Sequence, residues 1–333
     1  MTLEDFLSEW NNDSERVLVH TSGSTGKPKP MMVEKKRMLN SARITCDFLE
    51  LKPGDTALLC MSLDYIAGKM MVVRSIERQL KLIDVKPSGH PLKDISDNQD
   101  ITFAAMVPMQ VYNSLQVPEE RERLSRIKHL IIGGGAIDDA LAKELNKMSV
   151  DFLKEHGYEN AIWSTYGMTE TLSHIALRRI NGKEASDWYT PFDSVNVSQT
   201  EEDCLVIDAP LVCDKPLVTN DIVEIEGLRF RIKGRKDNVI CSGGIKIQIE
   251  EVEAFLKPYL SKPFMLAKKK DEKFGEIAVL LTEDSDIKIV EATVRRLLQD
   301  SSSSHKYWIP REYIYVEHLP LTETGKPKRS ILL

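Results

Sequence analysis

Strand-like and helix-like segments alternate along this chain, which predicts an α/β fold: a large layered N-terminal domain followed by a small α+β C-terminal domain. Three observations carry that reading. Short apolar, β-branched runs are separated by helical periodicity through the first half. A polar stretch over residues 181–203 then gives way to a β-rich segment, and Gly234, Arg235, Lys236 and Asp237 punctuate the chain. Finally, 333 residues suit about two domains at the usual ~100–200 residues each. The boundary falls at residues 235–237, giving domains 1–234 and 235–333.

Taken in order, Val17, Leu18, Val19 and His20 read as a short strand. Beyond Pro30, the apolar positions Met38, Leu39, Ala42, Cys46 and Leu49 recur at helical spacing, and Pro53 with Gly54 stops that helix. Residues 57–60 and 81–84 read as buried strands on either side of a helix over 67–77. Residues 102–107 and 129–132 repeat the strand pattern, and 161–164 make another before a glycine-containing turn. The β-rich segment spans 204–233. Past the boundary come a strand (245–247), a helix (250–260), a strand (276–282), a helix (287–299) and a strand (313–316). Ser301 to Ser304 read as a short flexible patch, and no internal repeat is present.

Composition excludes several classes. Hydrophobic content of 42% and charged content of 29% describe an ordinary globular protein, and a net charge of -6 disfavours nucleic acid as a partner. Lys268, Lys269 and Lys270 cluster, but Asp271 and Glu272 follow at once, which predicts a solvated loop. Five cysteines without a Cys-x-x-Cys pair fit reduced thiols in a cytoplasmic protein. Residues 1–13 are acidic and lack the pattern of a signal peptide. The most apolar window, 56–73, is interrupted by Asp64 and Lys69 and flanked by Arg74, so no membrane span is expected.

The segment from His20 to Lys29 holds Thr21, Ser22, Gly23, Ser24, Thr25, Gly26 and Lys27. Glycines let backbone N–H groups turn toward an anion, hydroxyls add donors and lysines supply charge, so the loop suits phosphate. It is not a Walker loop, because Gly23 and Gly26 are too close and Pro28 stands where Ser or Thr would hold magnesium. Tyr166, Gly167, Met168, Thr169 and Glu170 follow the strand at Trp163; a Tyr can stack on a base, a Thr can bond phosphate and a Glu can hold magnesium. A strand-to-helix turn with Thr169 or Glu170 at the helix start is equally open for that pentapeptide. Gly133, Gly134, Gly135 and Ala136 follow another strand and could form a tight turn without a ligand.

In this order the segments resemble the acyl-adenylate-forming, AMP-binding superfamily, which includes acyl-CoA ligases, luciferases and peptide-synthetase adenylation domains. The resemblance also takes in Thr219-Asn220-Asp221, the run from Gly234 to Ile240, the run from Ser242 to Gln248, and Leu319 to Arg329 around Lys326. It implies ATP, Mg2+ and CoA as the cofactor and co-substrates of a small carboxylic acid. Residues 21–27 would hold the triphosphate, Gly134, Gly135 and Ala136 would face adenine, and Tyr166 and Gly167 would complete that pocket. Thr169 and Glu170 would serve phosphate and Mg2+, and Asp221 and Arg235 would hold the ribose. Asn220 replaces the family's Gly, a tolerable change if the turn needs positive φ. Lys326 would contact both the acyl carboxylate and the α-phosphate. Asp237 would be the hinge about which a mobile small domain rotates between adenylation and thioester formation, bringing Gly243, Gly244 and Lys246 to the pantetheine channel.

Within the superfamily, residues 235–253 and the segments around Ile66, Val73, Val107-Pro108-Met109-Gln110, Ile132 and Asp271 are similar to o-succinylbenzoate–CoA ligases of menaquinone biosynthesis. That substrate is a small aromatic diacid, so a cationic or hydrogen-bonding group is expected beyond the reacting carboxylate. Arg74, Ser173 and His174 are the candidates, His174 being read as a helical residue. About twenty residues precede the phosphate loop where the family has a hundred or more, so a subdomain walling the acyl pocket is expected to be missing or pared down. Small rigid acids fit that reduction, and sheet edges left exposed by it favour a homodimer. Three other readings stay open: a ligase for another small acid, a stand-alone adenylation domain feeding a carrier protein, and a non-catalytic nucleotide-binding relative.

Overall fold

The computed structural model describes residues 1–20, 30–301, 305–321 and 327–329. They form two units: Met1–Ser198 with Ile207–Leu217 and Glu226–Arg231, and Gln199–Val206 with Val218–Ile225 and the chain from Ile232 onward. The division thus falls between Arg231 and Ile232, and two short stretches that the sequence places in the large domain belong to the second unit.

The first unit opens with α1 (Leu3–Trp10), whose N-cap Thr2 and third residue Asp5 bond each other's backbone N–H in a capping box. Phe6 on this helix is fully buried, contributing roughly 1.5–3 kcal/mol. β1 (Arg16–His20) pairs antiparallel with β2 (Pro30–Glu34), placing Leu18 opposite Met32. Then come α2 (Lys35–Phe48), β3 (Thr56–Leu59), α3 (Ile66–Arg78), β4 (Lys81–Asp84), β5 (Phe103–Met106), α4 (Pro108–Gln116) and α5 (Pro118–Arg126). β6 (His129–Ile132), α6 (Asp139–His156), β7 (Ala161–Gly167), β8 (His174–Arg179) and β9 (Thr190–Pro191) follow.

These strands make a seven-stranded sheet of order β4-β3-β5-β6-β7-β8-β9. β3 to β7 run parallel, and β8 and β9 return antiparallel. Parallel strands carry helices in their crossovers and read as continuous apolar runs; accordingly Phe103, Ala104, Ala105 and Met106 are all buried. One core packs Leu58, Ala104, Leu130 and Ile162 from the sheet against Val111, Leu124, Leu145 and Met148 from α4, α5 and α6. β4 is an edge strand, only partly buried where the sequence suggested a buried one, because no strand among the described residues pairs with its outer side.

The free side of β1 is closed by side chains. The Leu18 N–H donates to Glu9 Oε1 at 3.1 Å, and its carbonyl accepts from Lys69 Nζ at 2.6 Å. Lys69, on α3, lies 3.7 Å from the other oxygen of Glu9 and is buried. Burial lowers the Lys69 pKa, against the raising pull of Glu9.

β10 (Asn196–Gln199), β11 (Cys204–Asp208), β12 (Leu217–Glu226) and β13 (Arg229–Arg235) form a four-stranded sheet in that order. The second unit continues with β14 (Val239–Ser242), β15 (Ile245–Gln248), α7 (Ile249–Leu256), β16 (Phe264–Asp271), β17 (Gly275–Thr282), α8 (Ile287–Ser301) and β18 (Glu312–Tyr315). β17 is the centre of a five-stranded sheet, flanked by β16 along its length and by β14 and β18 on its other side. Ile240, Ile247, Leu266 and Leu280 meet Val252, Leu256, Val294 and Leu298 of α7 and α8 in its core.

The lysine cluster is not a loop. Lys268, Lys269 and Lys270 lie in β16, where Lys268 pairs with Glu276 at 3.5 Å and Lys269 with Glu312 at 2.9 Å. Cross-strand carboxylates neutralise a run that looked destined for solvent. All five cysteines are free thiols, four of them buried. Among the described residues no helix is long and apolar enough to cross a membrane.

Candidate active site

The site residues expected from the sequence fall into three groups: those on the first unit, those on the second, and those outside the described residues. Thr21, Ser22, Gly23, Ser24, Thr25, Gly26 and Lys27 belong to the last group, as does Lys326.

On the first unit, the loops leaving the carboxyl ends of β5, β6 and β7 converge. A Cβ on Gly133 would lie 2.5 Å from Thr165 Oγ1, one on Gly134 3.3 Å from Val107 Cγ1, and one on Gly135 3.5 Å from Pro108 Cγ. The segment ending in Ala136 is therefore seated directly on its neighbours. The Tyr166 ring is buried and meets Phe230 edge-on at 5.1 Å and Tyr189 at 5.8 Å.

The pentapeptide that ends in Glu170 is a hairpin turn between antiparallel strands, not the start of a helix of any length. β7 and β8 pair with an irregularity at Tyr166 and Gly167. There the backbones approach so closely that a Cβ on Gly167 would lie 2.3 Å from the Ser173 carbonyl oxygen. Glycine is required by that approach. Thr169, Glu170 and Thr171 make a single 3-10 turn, with Thr169 buried and Glu170 exposed. Leu172 after it has φ 64°, a region costly for a side-chain-bearing residue. Thr171 Oγ1 holds the turn by accepting from the Met168 N–H at 3.0 Å, and the Cys213 thiol reaches the Glu170 carbonyl at 3.4 Å.

The structure brings the three acyl-site candidates into one buried chain. Arg74 on α3 donates from Nη2 to Ser173 Oγ at 2.5 Å. Ser173 Oγ lies 3.2 Å from His174 Nδ1, and His174 Nε2 lies 3.1 Å from Thr45 Oγ1, which donates to the Ser41 carbonyl at 3.1 Å. Each hydroxyl has one proton to give, so the sequence of bonds fixes direction. Thr45 spends its proton on Ser41 and must accept from Nε2–H; Ser173 accepts from Arg74 and donates to Nδ1. The imidazole is neutral: burial, then the Arg74 charge, hold its pKa well below the ordinary value. His174 opens strand β8, which corrects the helical reading; the hairpin geometry turns it inward.

Arg74 itself is fully buried, and burial lowers its pKa to about 10, leaving it charged at neutral pH. Among the described residues it makes no ion pair with a carboxylate. Its Nε is buried without a partner, and Nη1 faces only Met71 Sδ at 3.8 Å. A cavity with room for about one water borders His174 beside Ser41, Ile44, Phe192 and Val212.

On the second unit, Arg235 bridges two carboxylates: Nη1 donates to Asp221 Oδ1 at 3.0 Å and Nη2 to Asp237 Oδ2 at 2.8 Å. Thr219, Asn220 and Asp221 lie in extended β12, and Asn220 has no positive φ. The expected turn at Asn220 is absent there because an ordinary strand conformation suffices for Asn and Gly alike. The two-residue turn between β14 and β15 is Gly243-Gly244, with φ of 58° and 85°. Both central residues of such a hairpin need positive φ. Lys246 follows on β15, exposed and opposite Cys241.

No group of three or more His, Cys, Asp or Glu side chains assembles among the described residues. Glu170 offers one exposed carboxylate. That donor set fits Mg2+, which keeps waters and takes one or two carboxylates when substrate phosphates supply the rest.

The chain belongs to the AMP-binding enzyme family, whose model matches residues 5–206. It is similar to a long-chain-fatty-acid–CoA ligase of Mycobacterium tuberculosis, 24% identical over 97% of this chain and 68% of that one. A 2-succinylbenzoate–CoA ligase of Salmonella typhimurium is 26% identical over 79% of this chain and 57% of its own. Among solved structures, an acyl-CoA synthetase (AMP-forming)/AMP-acid ligase II-like protein from Dyadobacter fermentans superposes with a TM-score of 0.66. It is 32% identical, covering 98% of this chain and 91% of that one.

Proposed function

We propose that this chain is an AMP-forming acid–thiol ligase that adenylates a small aromatic diacid, o-succinylbenzoate before others, and passes the acyl group to CoA in menaquinone biosynthesis. The observation that carries the substrate class is Arg74: a buried cation with an unpartnered Nε and, among the described residues, no carboxylate paired with it. An uncompensated buried charge is costly, and an anionic group of the substrate would relieve that cost. The neutral His174 and Ser173 add hydrogen-bonding groups without adding competing charge.

The chemistry asks for little covalent participation. A carboxylate oxygen bonds to the α-phosphorus of ATP as the bond to pyrophosphate breaks, giving an acyl-adenylate; a thiol then displaces AMP. Two anions must approach, so charge neutralisation dominates. Residues 21–27 would hold the departing phosphates, Thr169 would bond an oxygen, and Lys326 would face the attacked phosphorus and the carboxylate. Mg2+ held at Glu170 would offset triphosphate charge. Asp221 and Arg235 would hold ribose, Tyr166 and the segment Gly134 to Ala136 the base. Asp237 would serve as the hinge between the half-reactions, with Gly243, Gly244 and Lys246 along the thiol's approach.

The test is mass spectrometry of AMP and acyl-CoA formed from ATP, Mg2+, CoA and a panel of small mono- and dicarboxylic acids. A preference for o-succinylbenzoyl-CoA is expected. AMP formed with a monoacid at higher efficiency would replace the substrate, and no AMP with any acid would overturn the enzyme reading. Lys326→Ala should lower adenylation by about 10² or more if the lysine serves the transition state.

A further inference from the structure

We propose that Gln110 is a positioning residue for the nucleotide half of the site, a role that rests on the adenylating function proposed above. Gln110 lies in the first turn of α4 and is 5% exposed. Its Oε1 accepts from the Val107 N–H at 3.1 Å. Its Nε2 donates to the Cys60 carbonyl at 3.1 Å and to the Ser88 carbonyl at 2.9 Å. One planar amide therefore joins three separate segments: Cys60 leaves β3, Ser88 follows β4, and Val107 leaves β5.

The place matters. β3 is where the strand order turns back, with β4 on one side and β5 on the other. In an open parallel sheet, ligands bind outside the carboxyl ends of the strands at such a point. Loops there are not held by the sheet ladder, so something else must set their spacing. Gln110 does so from a buried position with all three bonds made, and its reach extends one layer further. Val107, whose N–H it holds, and the adjoining Pro108 are the atoms on which Gly134 and Gly135 sit, at 3.3 and 3.5 Å from where a Cβ would be. A shift of Val107 would be passed to the segment that faces the base.

The residue type follows from the partners. Glutamate has no N–H to offer two carbonyls, and methionine leaves the buried Cys60 carbonyl, the Ser88 carbonyl and the Val107 N–H without this partner. A neighbouring contact supplies a control. Asn113 Nδ2 donates to the Gly89 carbonyl at 3.1 Å, fixing the same connection after β4 without touching Val107 or Cys60.

Calorimetric titration of the full chain with AMP and with ATP, beside thermal melting, tests the role in Gln110→Met and Asn113→Ala. Gln110→Met should weaken AMP and ATP alike, by about tenfold or more, since the disturbed group faces the base common to both. Asn113→Ala should lower the melting temperature and leave both affinities within twofold. Gln110→Glu, nearly identical in shape, provides the same reading if the methionine variant fails to fold. A Gln110 variant that melts earlier yet binds AMP as the parent does would overturn the proposal, as would equal weakening by Asn113→Ala. Absence of AMP and ATP binding by the unaltered chain would instead remove the adenylating function itself.

Discussion

Arg74 was legible in the sequence as a candidate cation beyond the reacting carboxylate; its surroundings were not. Whether a lone arginine is solvated or buried depends on which face of α3 meets the sheet, and on Ser173, which lies 99 positions away in the chain. Glu170 and Gly167 were legible as a motif, yet their hairpin was not, because a strand returning antiparallel begins with the same turn residues as a helix. On the function proposed above, Arg74 is the position at which acid choice is best tested. Arg74→Met should reduce kcat/KM for o-succinylbenzoate by about 10² or more, the cost of leaving a buried carboxylate without its cation. A matched monoacid should change by only a fewfold. Competition between the two acids, followed by product mass spectrometry, checks this; equal loss for both would deny the residue its role in selectivity.

At the level of elements, the parallel strands were read from the sequence almost where they lie, since buried apolar runs of four residues have few other interpretations. β16 was missed because three consecutive lysines obscure a strand whose partners, Glu276 and Glu312, are supplied from elsewhere. Asn220 was assigned a turn because the family's glycine suggested one, while the chain there is plainly extended. β1 offers the clearest energetic test. Lys69→Met would leave the partly exposed Glu9 carboxylate without its cation and the Leu18 carbonyl without its donor, a loss of about 3 kcal/mol, the low end for a broken buried pair. Amides of β1 should then exchange with solvent about a hundredfold faster. Adding Glu9→Gln should recover part of the protection, because the Leu18 N–H keeps an acceptor while the unpaired charge is gone. Unchanged exchange in Lys69→Met would mean that the ion pair does not hold the strand.

Across the whole molecule, stability should depend on pH through imidazoles that are kept neutral. Burial, with help from Lys128 and Arg179, pushes His129 down to about 4 from an ordinary 6.5, and His174 lies well below the same value. Below about 6.5 the unfolded chain takes up protons that the folded chain refuses, so stability falls as pH drops, and His129's share of that loss levels off near its own pKa of about 4. Melting temperatures between pH 7 and pH 4.5 should show that decline, and His129→Asn should flatten it; a parallel curve for the variant would exclude His129 as a contributor. The contribution of Gln199–Val206 and Val218–Ile225 to the second unit was not legible in the sequence, since local pattern carries no record of which sheet a strand will join. The closure of β1 also bears on how copies of the molecule meet. An outward N–H and C=O on an edge strand form a template on which any extended peptide can add. Because Glu9 and Lys69 already occupy both groups of Leu18, that edge is insulated at its midpoint, and disruption of the pair should be felt as a tendency to self-association before any loss of secondary structure.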